Sequence, residues 1–251
     1  MGTLDVTRRG PILEIGLANP GKANALDGAM LALLDEQIAR VQADAGIRVV
    51  VLRGTPGGTF SAGADIREWG PMSPEQFGRD WIARGNAIFR RFEQLRCPTI
   101  ATIEGLCFGG GFELALCADL RIGSDAARLR FPELGIGAIP GWEGGTRLAR
   151  IAGRGRALEA VLSGREIDAA TAHHWGVLNT VLPAAGFEAG LGELADRLAA
   201  MSPLAATLAK QAIVGEHESE SFHAQAGREI KASADSAIGI SAFFDKRPAR
   251  F

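Results

Sequence analysis

The sequence predicts an α/β fold that gives way to a mostly helical C-terminal region, and three observations carry that prediction. Residues 47–52 form a run rich in β-branched side chains, the pattern of a strand buried on both faces. Residues 98–103 repeat it, and amphipathic helical stretches lie between such runs, which argues for a parallel sheet covered on both sides. After Gly153 helical patterns dominate, with a single strand expected at 177–181.

Each element has its own signal. Residues 12–17 alternate as a strand, and Asp27 caps an amphipathic helix through Met30, Leu33, Leu34, Ile38 and Val41. A glycine-rich loop covers 54–63. Ser73-Pro74-Glu75-Gln76 supplies an N-cap, a proline at the first helical position and a capping-box glutamine, for a helix reaching about Gln94. The strand at 98–103 leads into Gly109-Gly110-Gly111 and the apolar run Leu114 to Ala118, which reads as a helix start. Shorter strands follow at 120–123 and 128–131. Helices are expected at 156–163, 168–175, 187–201, 203–214, 217–231 and 235–246. The domain reading is a β/α core over 1–190 and a helical subdomain over 191–251, without repeats or linkers.

Composition excludes several classes. At 251 residues the chain can build one substantial core, and a net charge of −2 gives neither a nucleic-acid footprint nor a polybasic membrane patch. No apolar run approaches membrane-spanning length, and residues 1–10 lack the apolar stretch of a secretory signal, so the expected location is cytoplasmic. Cys97, Cys107 and Cys117 have no C-x-x-C spacing and read as reduced packing residues. His173, His174, His217 and His223 show no metal pattern. His217-Glu218 begins like H-E-x-x-H, but Ser221 stands where the second histidine belongs, so no metal is expected.

Two glutamates stand out. A triple glycine before a helix exposes backbone N–H groups at the positive end of the helix dipole. Glu113 then falls on the first helical turn, in apolar surroundings where glutamate is rarely buried unpaired. Glu133, in Phe131-Pro132-Glu133, arrives from the next loop. Two carboxylates beside anion-stabilising amides make an acid/base site. The bland alternatives are a salt bridge for Glu113 and an ordinary loop residue in Glu133. The triple glycine is neither a Walker loop nor G-x-G-x-x-G, so an oxyanion site fits it better than phosphate cradling. In Phe60-Ser61-Ala62-Gly63-Ala64-Asp65-Ile66, small residues permit close approach of a ligand, and Asp65 can cap a short helix. Ser61 lacks the G-x-S-x-G context of a nucleophile.

Taken together, Phe60 to Ile66, Gly109-Gly110-Gly111-Phe112-Glu113-Leu114-Ala115, and Phe131-Pro132-Glu133 through Pro140-Gly141 strongly resemble the crotonase (enoyl-CoA hydratase/isomerase) superfamily. The likeness spans essentially the whole chain, from Lys22-Ala23-Asn24-Ala25-Leu26 to the terminal Phe243 and Lys246. It implies a β–β–α spiral core and a helical C-terminal trimerisation region, assembled as a homotrimer or dimer of trimers. It implies that the N–H groups of Ala64 and Gly110 grip a CoA thioester carbonyl, and that Glu113 and Glu133 are the acid/base pair of a hydratase. Lys22, Ala23, Ala25, Ala62, Asp65, Ile66, Phe108, Pro132, Gly141 and Trp142 match substrate-groove positions, and Phe243 and Lys246 a helix covering CoA. The implied substrate is an enoyl-CoA, with CoA carried by the substrate and no separate cofactor, nucleic acid or membrane partner.

One departure is Trp142-Glu143-Gly144-Gly145-Thr146-Arg147, where relatives have a small residue and more glycine after the Pro-Gly pair. Trp142 and Glu143 either shape the acyl pocket or simply pack and face solvent, Glu143 then being a favourable charge at a helix start. An isomerase, a carbon–carbon lyase, a decarboxylase or a thioester hydrolase remains open on such a scaffold. So does a non-catalytic acyl-CoA binder or an RNA-associated relative, against which the near-neutral charge and the two retained glutamates argue.

Overall fold

The structure, a computed structural model, describes residues 1–215 and 220–251. The helix start expected at His217 and the partial His217-Glu218 motif lie outside the described residues.

The chain opens with β1 (Thr3–Arg9) and β2 (Ile12–Ala18), an antiparallel hairpin registered from Thr3 opposite Ala18 to Arg9 opposite Ile12. Helix α1 (Gly28–Ala43) starts where Asp27 Oδ1 accepts the Met30 N–H at 2.9 Å, so the expected cap is real. Then come β3 (Val49–Arg53), α2 (Ile66–Trp69), α3 (Pro74–Gln76) and α4 (Arg84–Glu93). The capping box at Ser73 and Gln76 is complete. Residues 77–83, between α3 and α4, form a π-helical turn, so the single regular helix expected to Gln94 carries an irregular middle.

Next are β4 (Thr99–Ile103), β5 (Leu106–Phe108), α5 (Gly110–Ala115), β6 (Leu120–Ser124) and β7 (Arg128–Arg130). Helices α6 (Gly144–Ala152) and α7 (Arg154–Ser163), β8 (Ile167–Asp168), α8 (Ala169–His174) and β9 (Thr180–Leu182) follow. The chain closes with α9 (Phe187–Ala199), α10 (Pro203–Val214), α11 (Glu220–Ala232) and α12 (Ala234–Phe244).

The main sheet runs β1-β2-β3-β4-β6-β9, parallel from β2 onward, and β5-β7-β8 make a small second sheet. The expected all-parallel sheet is therefore mixed. β1 escapes the apolar pattern because it is an edge strand whose alternate residues face solvent. The central strands β3 and β4 are buried on both faces, as expected. Val50 and Leu52 turn toward Leu34, Ile38, Phe89 and Phe92, while Val49 and Val51 meet Phe187, Leu191 and Ala195 of α9. The residue-190 boundary lies within α9. Lys210 of α10 reaches the core through Asp119 at 2.8 Å and the Cys97 carbonyl at 3.2 Å. Among the described residues no helix is long and apolar enough to cross a membrane.

Candidate active site

The parallel strands end where α5 begins. Gly109 turns the chain with φ +48 and ψ −129, a backbone state that side chains resist, and a Cβ there would lie 2.8 Å from Glu133 Oε1. The turn buries α5 completely, and with it Glu113, 2% exposed. Its Oε1 accepts the N–H of Trp142 at 2.8 Å and of Gly144 at 2.9 Å. Gly144 must be glycine, since a Cβ would stand 2.4 Å from Glu113 Cγ. Burial, reinforced by the neighbouring Glu133 charge, raises the Glu113 pKa from 4.5 to about 8, and the two amides and Arg147 oppose the rise.

Glu133 opens the 3-10 turn Glu133–Ile136 and is half-buried. Burial pushes it up to about 7, and its Oε2 is buried without a hydrogen-bond partner among the described residues. Both carboxyl groups therefore titrate near neutrality, and both line one cavity of about 90 Å³ together with Ala64 and Gly110.

Ala64 and Gly110 both line that cavity. An added Cβ on Gly110 would lie 3.3 Å from Ala64 N and 2.6 Å from the Trp142 ring, so only glycine lets the two backbones approach. Leu26 pairs with the strand-like 63–65 segment through Gly63 O and Asp65 N, which leaves Ala64 N facing the other way. Gly110 is the first residue of α5 and has no acceptor inside the helix.

Of the residues singled out from sequence, Ala62, Ala64, Ile66, Gly110, Glu113, Pro132, Glu133, Gly141 and Trp142 line the cavity. Lys22 pairs with Asp65, which caps α2 through the Arg67 N–H, and Ala62 N donates to Ala23 O at 2.9 Å. Lys22, Ala23, Ala25, Asp65 and Phe108 do not line the cavity themselves. Phe243 and Lys246 lie exposed at the end of α12 and do not line it. Ser61 is buried and bonds Asn24 O at 2.7 Å, a structural role.

Trp69, Phe77, Trp81 and Ile82 of the wall were not singled out from the sequence, and Ile136, Ala138 and Ile139 were read only as part of the 131–141 motif. The i, i+4, i+5 spacing of Phe77, Trp81 and Ile82 on an otherwise charged helix was the available signal. Trp142 does pack. It is 1% exposed, donates its indole N–H to Trp81 O at 3.2 Å and lies against Trp81 and Phe89. Glu143 turns outward and pairs with Arg90 and Arg147.

Two carboxyl groups with near-neutral pKa values, beside two amide donors, suit proton transfer next to a developing oxyanion. The sequence comparisons agree in kind. Residues 7–251 match the family model described as enoyl-CoA hydratase/isomerase. The short-chain-enoyl-CoA hydratase of Clostridium acetobutylicum is 33% identical over 245 residues, 96% of this chain and 94% of its own. The carnitinyl-CoA dehydratase of Proteus mirabilis is 36% identical over 209 residues, 83% of this chain and 79% of its own. The crystal structure of an enoyl-CoA hydratase from Bacillus anthracis superposes with a TM-score of 0.93 at 33% identity, covering 99% of this chain and 98% of that one. With a fold, a full-length family match and relatives of this closeness in agreement, the chain belongs to the enoyl-CoA hydratase/isomerase family, within the crotonase superfamily.

Proposed function

We propose that the protein is an enoyl-CoA hydratase, adding water across the 2,3 double bond of an enoyl-CoA thioester. The observation that carries this reading is the meeting of Glu113 and Glu133 in one cavity with the amides of Ala64 and Gly110. The thioester oxygen sits between the two N–H groups, which face the negative charge that grows as an enolate forms. Losing one such donor typically costs about 2.7–4 kcal/mol of barrier.

Glu113, as carboxylate, takes a proton from water as the oxygen bonds Cβ; Glu133, as acid, gives a proton to Cα. At rest, pKa values of about 8 and about 7 put the pair's one proton mainly on Glu113; the productive form is the one in which that proton has passed to Glu133, and turnover returns it to Glu113. The two amides on Glu113 Oε1 favour its anionic form, while the unbonded Glu133 Oε2 is free to present a proton. An isomerase needs only one shuttling carboxyl group, so the second glutamate favours hydration. Relatives named as a hydratase and a dehydratase act, by their names, in the same chemistry.

The apolar wall of Trp69, Phe77, Trp81 and Ile82 takes the acyl tail. Lys22, Ala23, Ala25, Ala62, Asp65 and Ile66 take the nucleotide and pantetheine, with CoA arriving as part of the substrate. Phe243 and Lys246 cover CoA across a subunit boundary of a homotrimer or dimer of trimers. The test is loss of conjugated-thioester absorbance with crotonyl-CoA and with longer, branched and aromatic enoyl-CoAs. Hydration of at least one is expected, and no loss with any of them ends the reading.

A further inference from the structure

The two amides that hold Glu113 bracket one unusual residue. Glu143, at the N-cap of α6, takes φ +65 and ψ +17, a left-handed state uncommon for a residue with a side chain. That turn aims the N–H of Trp142 before it and of Gly144 after it at the same Glu113 oxygen.

The outer side of the turn is held by charges. Arg90 of α4 grips both Glu143 oxygens, its Nε lying 3.3 Å from Oε2. Buried Arg147 touches Glu143 Oε2 at 3.4 Å, binds Glu93 Oε2 at 3.0 Å and donates to the Trp142 carbonyl at 2.7 Å. The clamp therefore grips the side chain of the strained residue and the peptide before it, while the Glu143 carbonyl accepts the Arg147 backbone N–H at 3.0 Å.

We propose that Glu143 is a positioning residue for Glu113: its clamped, left-handed backbone keeps two amides on the Glu113 carboxylate. The consequence for turnover rests on the hydratase reading; the positioning itself does not. The charged and titratable groups around the pair are Glu133 across the cavity, Cys117 one turn along, Arg147 and Arg150 of α6, and Arg90 and Glu93 of α4. Removing the Glu143 charge alone lowers the Glu113 pKa, because it deletes a nearby negative group and frees two arginines. Loosening the amides raises it. The two mechanisms thus predict opposite signs, and Arg90 is exposed enough that solvent screens the first.

The experiment follows the Trp142 and Gly144 amide resonances of the ¹⁵N-labelled full chain between pH 5 and 10, which needs no substrate. Glu113→Gln should abolish the titration, and persistence of the titration would overturn the proposal. Glu143→Ala should raise the midpoint by about one unit, a tenfold change in proton affinity. Glu143→Gln, which still accepts from Arg90, should stay within about 0.3 unit of the parent. Glu143→Gly should fall between, because glycine keeps the turn and loses the clamp. An unmoved or lowered midpoint in Glu143→Ala overturns the proposal. Should that variant not fold, Arg90→Met removes the clamp from the other side, and the absence of any rise there overturns it equally. In activity, the hydration profile should shift toward higher pH in the same order. A parent chain that hydrates nothing yet shows these amide shifts would sink the functional reading and leave the positioning intact.

Discussion

Glu113 is destabilising where it sits, and that is measurable. Its folded pKa, about 8, stands above the ordinary 4.5, so the native state binds the extra proton between those values. Stability from that proton is fully present below about pH 4.5 and is lost as pH rises through 8. Glu113→Gln should therefore raise the melting temperature at pH 8 by a few degrees, reflecting on the order of 1 kcal/mol. The same change should lower turnover by about 10²–10⁴-fold, as should Glu133→Gln. Loss of both activity and stability in Glu113→Gln would show that the carboxyl group is structural. On the proposed mechanism the pair also sets the pH profile. Below about 7 both groups are protonated and no base remains; above about 8 both are ionised and no acid remains. A bell-shaped kcat/KM peaking between those values is expected, its limbs belonging to the pair rather than to either residue. A profile flat from pH 5 to 10 contradicts this. Glu113 was legible in the sequence because a lone carboxylate among apolar helix residues has no packing role. The left-handed turn at Glu143 was not, because ion pairs from α4 and α6 hold it there, and their partners lie far apart in the chain.

The elements around the cavity divide between those that local chemistry writes and those that packing imposes. The α1 cap, the Ser73 capping box and the glycine turn before α5 are local hydrogen-bond or φ requirements, and each was legible. The antiparallel β1 and the π-helical turn at 77–83 were not, since the first is an exposed edge and the second answers to what it packs against. Gly110→Ala tests the glycine turn. The new Cβ would meet the Trp142 ring at 2.6 Å and crowd Ala64 N at 3.3 Å, so kcat should fall at least 100-fold. Near-parental turnover would remove these two amides from the mechanism. The π-helical turn bears on acyl length. Ile82 lines both the inner cavity and an apolar outer groove of about 510 Å³, and rests where a Cβ on Gly141 would meet it at 2.5 Å. It shares both with Trp69, Phe77, Ile136, Ala138, Ile139 and Gly141. Ile82→Trp should cut the kcat/KM ratio of decenoyl-CoA to crotonyl-CoA at least tenfold; an unchanged ratio would place the acyl tail elsewhere.

At the scale of the whole molecule, the sheet and its two covered faces account for the core, and the C-terminal helices remain unusually apolar outside. Ile213 of α10 is 81% exposed, and Phe243 and Phe244 of α12 are 79% and 75% exposed. Aromatic side chains left open in this way mark association surfaces, and a surface shared by identical chains closes most simply by rotational symmetry. The proposed trimer follows from that exposure together with the family resemblance. Sedimentation equilibrium should give three or six times the 26.4 kDa of one chain at micromolar concentration. Phe243→Asp with Phe244→Asp should shift the mass toward one chain, because each buried aromatic replaced by a charge removes apolar area and adds desolvation cost. If Phe243 also covers CoA from a neighbouring subunit, the same variant should raise KM for crotonyl-CoA several-fold while leaving the Trp142 and Gly144 amide titration in place. A parent chain that sediments at 26.4 kDa would show that these aromatics serve another partner, and that each active site is complete within one chain.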